Sequence, residues 1–418
     1  MKILLLTHYY APERGAPQER WSALVRRFVH RGHQVHVVAP APHYPFGHLL
    51  PEATHMRAGT THAGPHGETV HRVAFRPYSA STGSRLADET VAAACAVSAA
   101  VTRFGRARPD VVVATVPSLA MLLAGALTAR LLRVPFVTDM RDAWPDLLET
   151  VDDWDATVGQ SRPRPTPRKA LKRSAAAGAG RVITTLQRRA DAVVTTTDSF
   201  AARLRSRGIA DVYVVRNGAH SPVSAPRSWI ASAGKELRVL YAGTVGRSQG
   251  LATAVEAAAL AHARGTNIVL RLVGTGAESD ALSALATALH APVEFVPQLP
   301  KAQVAAHHAW ADTLLVSLRK WPGLLLTVPS KLYEAMSLGI HVSGSIGGEA
   351  AEIITRTGAG HVSPPGDAQA LAAMWARLAE DRASLQVGDG GRTWVRHHAC
   401  DDRLARDYER LLEEVARC

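Results

Sequence analysis

Short apolar runs alternate with helix-patterned stretches from one end of this chain to the other, and no other feature restricts its fold as much. In the first half the apolar runs are Lys2–Thr7, Gln34–Ala39, Val70–Phe75, Asp110–Thr115, Pro135–Asp139, Asp191–Thr196 and Val212–Val215. Helix-patterned segments, Glu19–His30 and Ser118–Leu132 among them, lie between. A second series follows at Arg238–Ala242, Ile268–Val273, Val293–Phe295, Thr313–Ser317, His341–Ser343 and Gly360–Val362. Continuous apolar strands flanked by helices predict parallel sheets covered on both faces. With 418 residues the chain exceeds what one core usually holds. The expected class is therefore α/β, with two Rossmann-like doubly wound domains facing a central cleft and ligands at the carboxyl ends of the strands.

The turn-rich segment Asn217–Gly234, beginning NGAHSPVSAP, marks the expected boundary. It divides the chain into a domain at 1–216, a domain at 217–391 and a helical tail at 392–418 that is expected to pack back on the first domain. Val111 to Ala129 carries no charge and approaches the length of a membrane span. Pro117 and Ser118 break it into a β-branched strand and a Leu/Ala/Met helix, so no transmembrane segment is expected. The apolar stretch of MKILLLTHYY is too short for a signal peptide and reads as a strand. Cys95, Cys400 and Cys418 lack metal-type spacing and form no disulfide framework, which suits a reducing cytoplasm. A formal charge of +12 predicts anionic partners.

Two loops stand out. Pro40 to Arg72 holds His43, His48, His55, His62, His66 and His71 among Gly, Pro and Thr. Their scatter argues against a metal site and for a solvated loop that covers substrate. Ala156 to Ala190 carries nine Lys and Arg residues and no acid. Arg162-Pro163-Arg164-Pro165 is expected to be disordered, with a basic helix after it through Lys169, Lys172 and Arg173. Such a cluster fits either an anionic membrane surface or a simple solvated face.

The residue patterns with chemical meaning lie at the ends of the strands. Gly15 sits in the loop after the first strand, where a missing side chain admits a ligand close to the backbone. Arg141, Asp142 and Trp144 follow the strand ending at Asp139. Asp142 suits orienting or deprotonating a hydroxyl if burial raises its pKa, and a simple Arg–Asp loop closure is the competing reading. Gly243 and Gly246 narrow a loop that presents Arg247, whose planar fork matches phosphate. Gly274-Thr275-Gly276 approximates a dinucleotide fingerprint, but Ser279 replaces its third glycine and Glu294 falls inside the next strand. A nicotinamide enzyme is thereby disfavoured. Asp153-Trp154-Asp155 resembles a metal-binding D-x-D but is too common a pattern to count. Pro329 to Gly339, PSKLYEAMSLG, reads as a helix with Pro at its first position, and its free N–H groups suit an anion. Lys331 adds a cation there, and Glu334 an acceptor for ribose hydroxyls. An ordinary capped helix with Leu332, Ala335, Met336 and Leu338 in a core explains the same pattern. Gly347, Gly348 and Glu349 open another helix after a strand, and helix capping accounts for one acid there.

Together these segments resemble the family 4 retaining glycosyltransferases, which have the GT-B architecture. The likeness runs through Tyr9–Gly15, Arg31-Gly32-His33, Arg141–Pro145, Arg216–Gly218, Tyr241–Gly250, Val273–Gly276, Pro329–Gly339, Gly347–Glu352 and Pro364–Asp367. RD-x-WP and PSKLYEAM bring it nearest to the branch that transfers N-acetylated amino sugars such as N-acetylfucosamine. The resemblance implies an acceptor-side N-terminal domain and a C-terminal domain that binds a nucleoside diphosphate sugar, UDP by family weight. It implies that Arg247 and Lys331 neutralise the diphosphate, that Glu334 binds ribose, and that Gly15 admits backbone amides to the donor phosphate. The Asp142 region would face the acceptor or the transferred sugar. The chain departs from the family at Leu326, where a glutamate is usual, at Gln249, where lysine is usual, and at Gly15-Ala16, where two glycines are usual.

The expected activity is metal-independent, cofactor-free transfer of a sugar to a hydroxyl with retention, by same-face attack, since no carboxylate nucleophile is evident. The expected acceptor is a lipid-linked glycan of envelope or exopolysaccharide assembly at the cytoplasmic membrane face, with 156–190 touching the bilayer. A soluble natural-product acceptor and a sugar-nucleotide-binding protein without turnover are the alternatives. Nucleic acid is not an expected partner, since no basic stripe interleaved with aromatics occurs.

Overall fold

The computed structural model describes residues 1–78, 82–154, 167–219 and 236–417. The Arg162–Pro165 segment and most of the expected boundary at Asn217–Gly234 lie outside them. The chain divides into two compact units. One comprises Met1–Pro145, Gly178–His220 and Ala399–Cys418, and the other Asp146–Ala177 and Ser221–His398.

The strands of the first unit are β1 (Lys2–Leu6), β2 (Gln34–Pro40), β3 (Thr61–Ala63), β4 (Thr69–Val73), β5 (Val111–Val116), β6 (Phe136–Met140), β7 (Ala192–Thr195) and β8 (Val212–Val214). Its helices are α1 (Ala16–His30), α2 (Thr82–Phe104), α3 (Leu119–Leu132) and α5 (Asp198–Ser206), and α4 (Pro167–Arg189) precedes β7. The sheet order is β3-β4-β2-β1-β5-β6-β7-β8, parallel throughout except for β3 against β4. The strand order reverses between β1 and β5, which opens a crevice at the carboxyl ends of these strands. Fully buried Leu4, Leu5 and Leu6 on β1 and Val111, Val112 and Val113 on β5 explain the unbroken apolar runs. The charge-free stretch from Val111 resolves into β5 and α3, and no helix among the described residues is long and apolar enough to cross a membrane.

The second unit holds β9 (Leu237–Ala242), β10 (Ile268–Val273), β11 (Val293–Val296), β12 (Thr313–Ser317), β13 (His341–Ser345) and β14 (Gly360–Ser363). Its helices are α6 (Leu251–Ala263), α7 (Ser279–Ala288), α8 (Lys301–Trp310), α9 (Pro322–Leu325), α10 (Ser330–Leu338), α11 (Gly348–Thr357), α12 (Ala368–Glu380) and α13 (Gly390–His398). The sheet is wholly parallel, in the order β11-β10-β9-β12-β13-β14, and reverses between β9 and β12. Leu251, Val255 and Ala258 of α6 and Leu371 and Trp375 of α12 pack into its core.

Residues 146–154 and 167–177, placed by the sequence reading in the first domain, group with the second. Gly323 of α9 shows why, since a Cβ there would lie 2.7 Å from Leu147 Cδ2. The tail divides as well: α13 stays in the second unit, while α14 (Asp401–Arg417) packs on α1. Its apolar stripe, Leu404, Tyr408, Leu411, Leu412 and Val415, joins Trp21, Leu24 and Phe28. Arg31 Nη1 donates to Glu409 Oε2 at 2.7 Å at the edge of this contact.

The histidine-rich loop is not simply solvated. His43 is fully buried, and His71 is buried on β4, stacked on His36. Two strands run through the segment, so part of its backbone is satisfied by sheet pairing rather than by water.

Candidate functional site

In the second unit the loops that follow β9, β10, β12 and β13 meet at the end of the sheet where the strand order reverses. The β9 loop runs through Gly243 and Gly246 into a 3-10 turn, Arg247–Gln249. Arg319 N–H donates to Ser248 O at 2.9 Å, which ties the β12 loop to that turn. Leu318 N–H donates to Ser345 O and joins it to β13.

Helix α10 begins one residue later than its sequence implies. Pro329 is the N-cap, with extended backbone, Ser330 is the first helical residue, and Gly339 closes the helix in the left-handed region at φ 63°. Pro329 makes no side-chain cap bond, and Leu332 N–H donates to Pro329 O at 3.0 Å, which leaves the N–H groups of Ser330 and Lys331 to face an anion. Leu332, Ala335 and Met336 face the core as expected, while Leu338 is only half-buried.

Lys331 leaves the first turn of α10 and lies 4.7 Å from the centroid of the Tyr241 ring. Its Nζ donates to Gln249 Oε1 at 3.2 Å. The same Gln249 oxygen accepts from Tyr241 Oη at 3.1 Å. Gln249, the departure from family pattern, is thus the residue that holds the ammonium beside the 3-10 turn. Gly243 makes room for this, since a Cβ there would meet Lys331 Cε at 2.4 Å. Burial lowers the Lys331 ammonium to about 8, against the pull of Glu334 one turn along the helix.

Arg247 is half-buried; its Nη1 donates to Trp154 O at 3.2 Å, while its Nε is buried without a partner. Glu278, which sequence reasoning passed over, is fully buried and accepts from Arg319 Nη2 at 2.7 Å. Burial raises its carboxyl, while Arg319 and Arg247 oppose the shift. Nothing in the local sequence marks Glu278, because its role depends on which arginines the neighbouring loops bring to it. Gly347 and Gly348 open α11 beside Leu325. Gly348 has φ 63°, and a Cβ would lie 1.9 Å from Leu325 O, so this turn requires glycine. Glu349 is buried in the first turn.

In the first unit Gly15 is the N-cap of α1 with extended backbone (φ 163°, ψ 171°) that any residue adopts. The space a Cβ would take is filled by Gln18 Oε1, 2.7 Å away, rather than left open to a ligand. A shift of the flexible end of Gln18 would admit a Cβ, so neither backbone nor packing demands glycine here. Arg141 and Asp142 follow β6. The Arg141 Nε and Nη1 are buried without partners, and burial together with nearby Arg20 lowers the guanidinium to about 10. Burial raises the Asp142 carboxyl, and Arg141 opposes that shift. Beneath this loop Arg20 donates to Asp139 Oδ2 from Nε at 3.3 Å and from Nη2 at 3.1 Å. It also donates to Arg216 O at 2.6 Å and Val215 O at 3.0 Å.

A model of the glycosyl transferase 4-like domain matches residues 15–218, and one of the glycosyl transferases group 1 matches residues 236–381. The chain belongs to the family 4 glycosyltransferases. The amylovoran biosynthesis glycosyltransferase AmsK of Erwinia amylovora is 32% identical over 152 residues, 36% of this chain and 37% of that protein. The putative colanic acid biosynthesis glycosyltransferase WcaL of Salmonella typhimurium is 31% identical over 200 residues, 47% of this chain and 48% of that protein. The chain thus spans less than half the length of these curated relatives. Sucrose-phosphate synthase from Thermosynechococcus elongatus superposes with a TM-score of 0.70 at 17% identity, covering 99% of both chains. HepE of Anabaena in complex with UDP gives 0.65 at 17% identity, covering 99% of this chain and 100% of that one. These likenesses establish the fold of this family 4 chain as GT-B.

Proposed function

We propose that this chain transfers a sugar from a nucleoside diphosphate donor, UDP-linked, to a hydroxyl of a lipid-linked glycan in exopolysaccharide assembly. The observation that carries the reading is the placement of Lys331 by Gln249 against the Arg247 turn, at the first turn of a helix that no N-cap side chain closes. A departing diphosphate gathers negative charge as the glycosidic bond breaks, and cations and N–H groups fixed beforehand stabilise that charge without reorganising. Glu334, one turn further along α10, takes the ribose hydroxyls, and the α11 turn at Gly347 and Gly348 lies along the donor. Asp142 and Arg141 serve the acceptor or the transferred sugar. Retention by same-face attack, with the leaving phosphate taking the proton of the incoming hydroxyl, accords with the absence of an assigned carboxylate nucleophile.

The UDP preference draws on the UDP bound to HepE, and the exopolysaccharide setting on the names of AmsK and WcaL. The N-acetylated amino sugar rests on the RD-x-WP and PSKLYEAM segments alone. A membrane-side acceptor is supported by exposed Leu123, Leu127 and Leu131, spaced four apart on α3 with exposed Arg130 and Arg133 beside them. The basic segment 156–190 would add attraction to anionic headgroups.

A thermal-shift screen of nucleotides and sugar nucleotides checks the donor. UDP and one UDP-sugar are expected to stabilise the protein, by about 2.7 kcal/mol at a hundredfold excess over Kd. No shift with any nucleotide would remove the donor site. UDP affinity is also expected to depend on pH. Free Lys331 loses its proton near 8, and a bound diphosphate favours the charged form, so binding above that pH takes up a proton. Affinity should hold below about pH 8 and then fall by up to about tenfold per pH unit as pH rises. Calorimetry between pH 6.5 and 9.5 (roughly spanning that pKa) reads this, and Lys331→Met should flatten the profile.

A further inference from the structure

Outside the donor residues, a buried ionic cluster closes the end of β1 in the first unit. His8 is 2% exposed, and its Nε2 lies 3.2 Å from Asp88 Oδ2. The same oxygen lies 3.0 Å from His43 Nε2. His43 Nδ1 is 2.7 Å from Ala41 O, and the other Asp88 oxygen accepts from Arg76 N–H at 2.9 Å.

The donor and acceptor rules fix the protons of this cluster. A carbonyl and a carboxylate only accept, so both ring nitrogens of His43 carry hydrogen and the ring is an imidazolium. Its hydrogen bonds to Asp88 and Ala41 and the charge of Asp88 hold the ring above its usual pKa despite burial. Asp88 is in turn held well below the usual carboxylate range by His43 and His8, against its burial. His8 Nε2 faces the same carboxylate oxygen, which only accepts, so that nitrogen carries a hydrogen. His8 Nδ1 is buried with no hydrogen-bond partner. A buried polar atom left without a partner is costly, and at a functional end of a sheet it points to a ligand group.

The loops after β1, β2 and β4 gather Tyr9, Tyr44 and Tyr78 around the two histidines, with His8 edge-on to Tyr9 and His43 stacked on Phe75. From the β5 end, Ser118 Oγ donates to Glu89 Oε2 at 2.8 Å. Glu13 Oε1 accepts from the N–H groups of His43 and Tyr44 at 2.8 and 2.9 Å and clamps the β1 and β2 loops together. These loops surround the point where the strand order reverses, the place where open α/β sheets receive ligands.

We propose that His8 Nδ1 accepts a hydrogen bond from a hydroxyl of the acceptor sugar, with Asp88 and His43 acting as positioning residues that fix its tautomer. The inference rests on the transferase reading above. Its test is imidazole nitrogen NMR of the full-length protein labelled with 15N-histidine. His8 is assigned by loss of its signals in His8→Gln, or in His8→Asn should the first fail to fold.

In the free protein His8 Nδ1 should resonate as an unprotonated nitrogen and Nε2 as a protonated one. Titration with the methyl glycosides of glucose, galactose and N-acetylglucosamine, in the presence of UDP, should move Nδ1 toward the hydrogen-bonded range for at least one of them. Asp88→Asn should turn His8 into a mixture of tautomers. A protonated Nδ1 in the free protein, or no movement with any glycoside, overturns the proposal. So does a stoichiometric metal ion that is lost in His43→Ala, since the three side chains would then be ligands. UDP stabilisation separates the two readings. If UDP stabilises the wild type while His8 stays silent, only this inference fails. If UDP gives no stabilisation, the donor reading fails.

Discussion

Alanine at Arg247 or at Lys331 is expected to lower sugar transfer roughly 10²–10³-fold, the loss typical of one preorganised donor to developing negative charge. Both proteins should remain folded, because neither side chain fills the core. Arg247 is half-buried, with a bond from Nη1 to the Trp154 carbonyl and an unpartnered buried Nε. Lys331 rests on Tyr241 and Gln249, with burial already opposing its charge. Removing that ammonium relieves a desolvated cation while taking away the group a diphosphate needs. Lysine at 247 should rescue poorly, since a point charge does not reproduce the planar fork. Steady-state kinetics with the donor found in the thermal screen, alongside thermal melts of each variant, separates lost chemistry from lost folding. Wild-type rates in both variants would remove the proposed diphosphate site.

Arg20→Met should destabilise the first unit by about 3–5 kcal/mol, as breaking a buried pair leaves an uncompensated charge. Arg20 and Asp139 are almost wholly inaccessible, at 2% and 0%. The guanidinium also satisfies the carbonyls of Val215 and Arg216, so methionine would orphan three acceptor groups together. Packing explains why so costly a group persists there. Asp139 lies in β6 and Arg20 in α1, and the pair ties that helix to the strand that leads into Arg141 and Asp142. The double variant Arg20→Met with Asp139→Leu should recover much of the loss, because an apolar replacement of a buried pair is often neutral or better. Denaturant titration of the four proteins measures the coupling. Equal stability of Arg20→Met and wild type would refute this account.

Pattern and chemistry are legible at different levels. β5 and α3 could be read directly, because Val111–Val113, Pro117 and the Leu/Ala run each favour one local state. The helix at Leu332–Met336 was legible for the same reason. The reach of Lys331 was not: it depends on a glycine, a tyrosine and a glutamine from the β9 strand and loop, some eighty positions earlier. At Gly15 the sequence did not show that the side chain of Gln18 lies 2.7 Å from where a Cβ would stand. The histidines after β2 read as scattered because spacing along the chain says nothing of Asp88, 45 positions after His43 and on α2.

The sequence by itself determined the two parallel sheets, the family and the strand ends where chemistry belongs. Each follows from apolar periodicity, turn residues or a contiguous motif, all of which act over a few neighbouring positions. Only the tertiary structure decided that 146–154 and 167–177 group with the second unit and that α14 packs on α1. It alone set the Lys331–Gln249 contact, and it alone joined His8 and His43 through one carboxylate oxygen. Those features depend on side chains from distant elements arriving at the same few ångströms, and on the burial that then sets their protonation, neither of which a local pattern encodes.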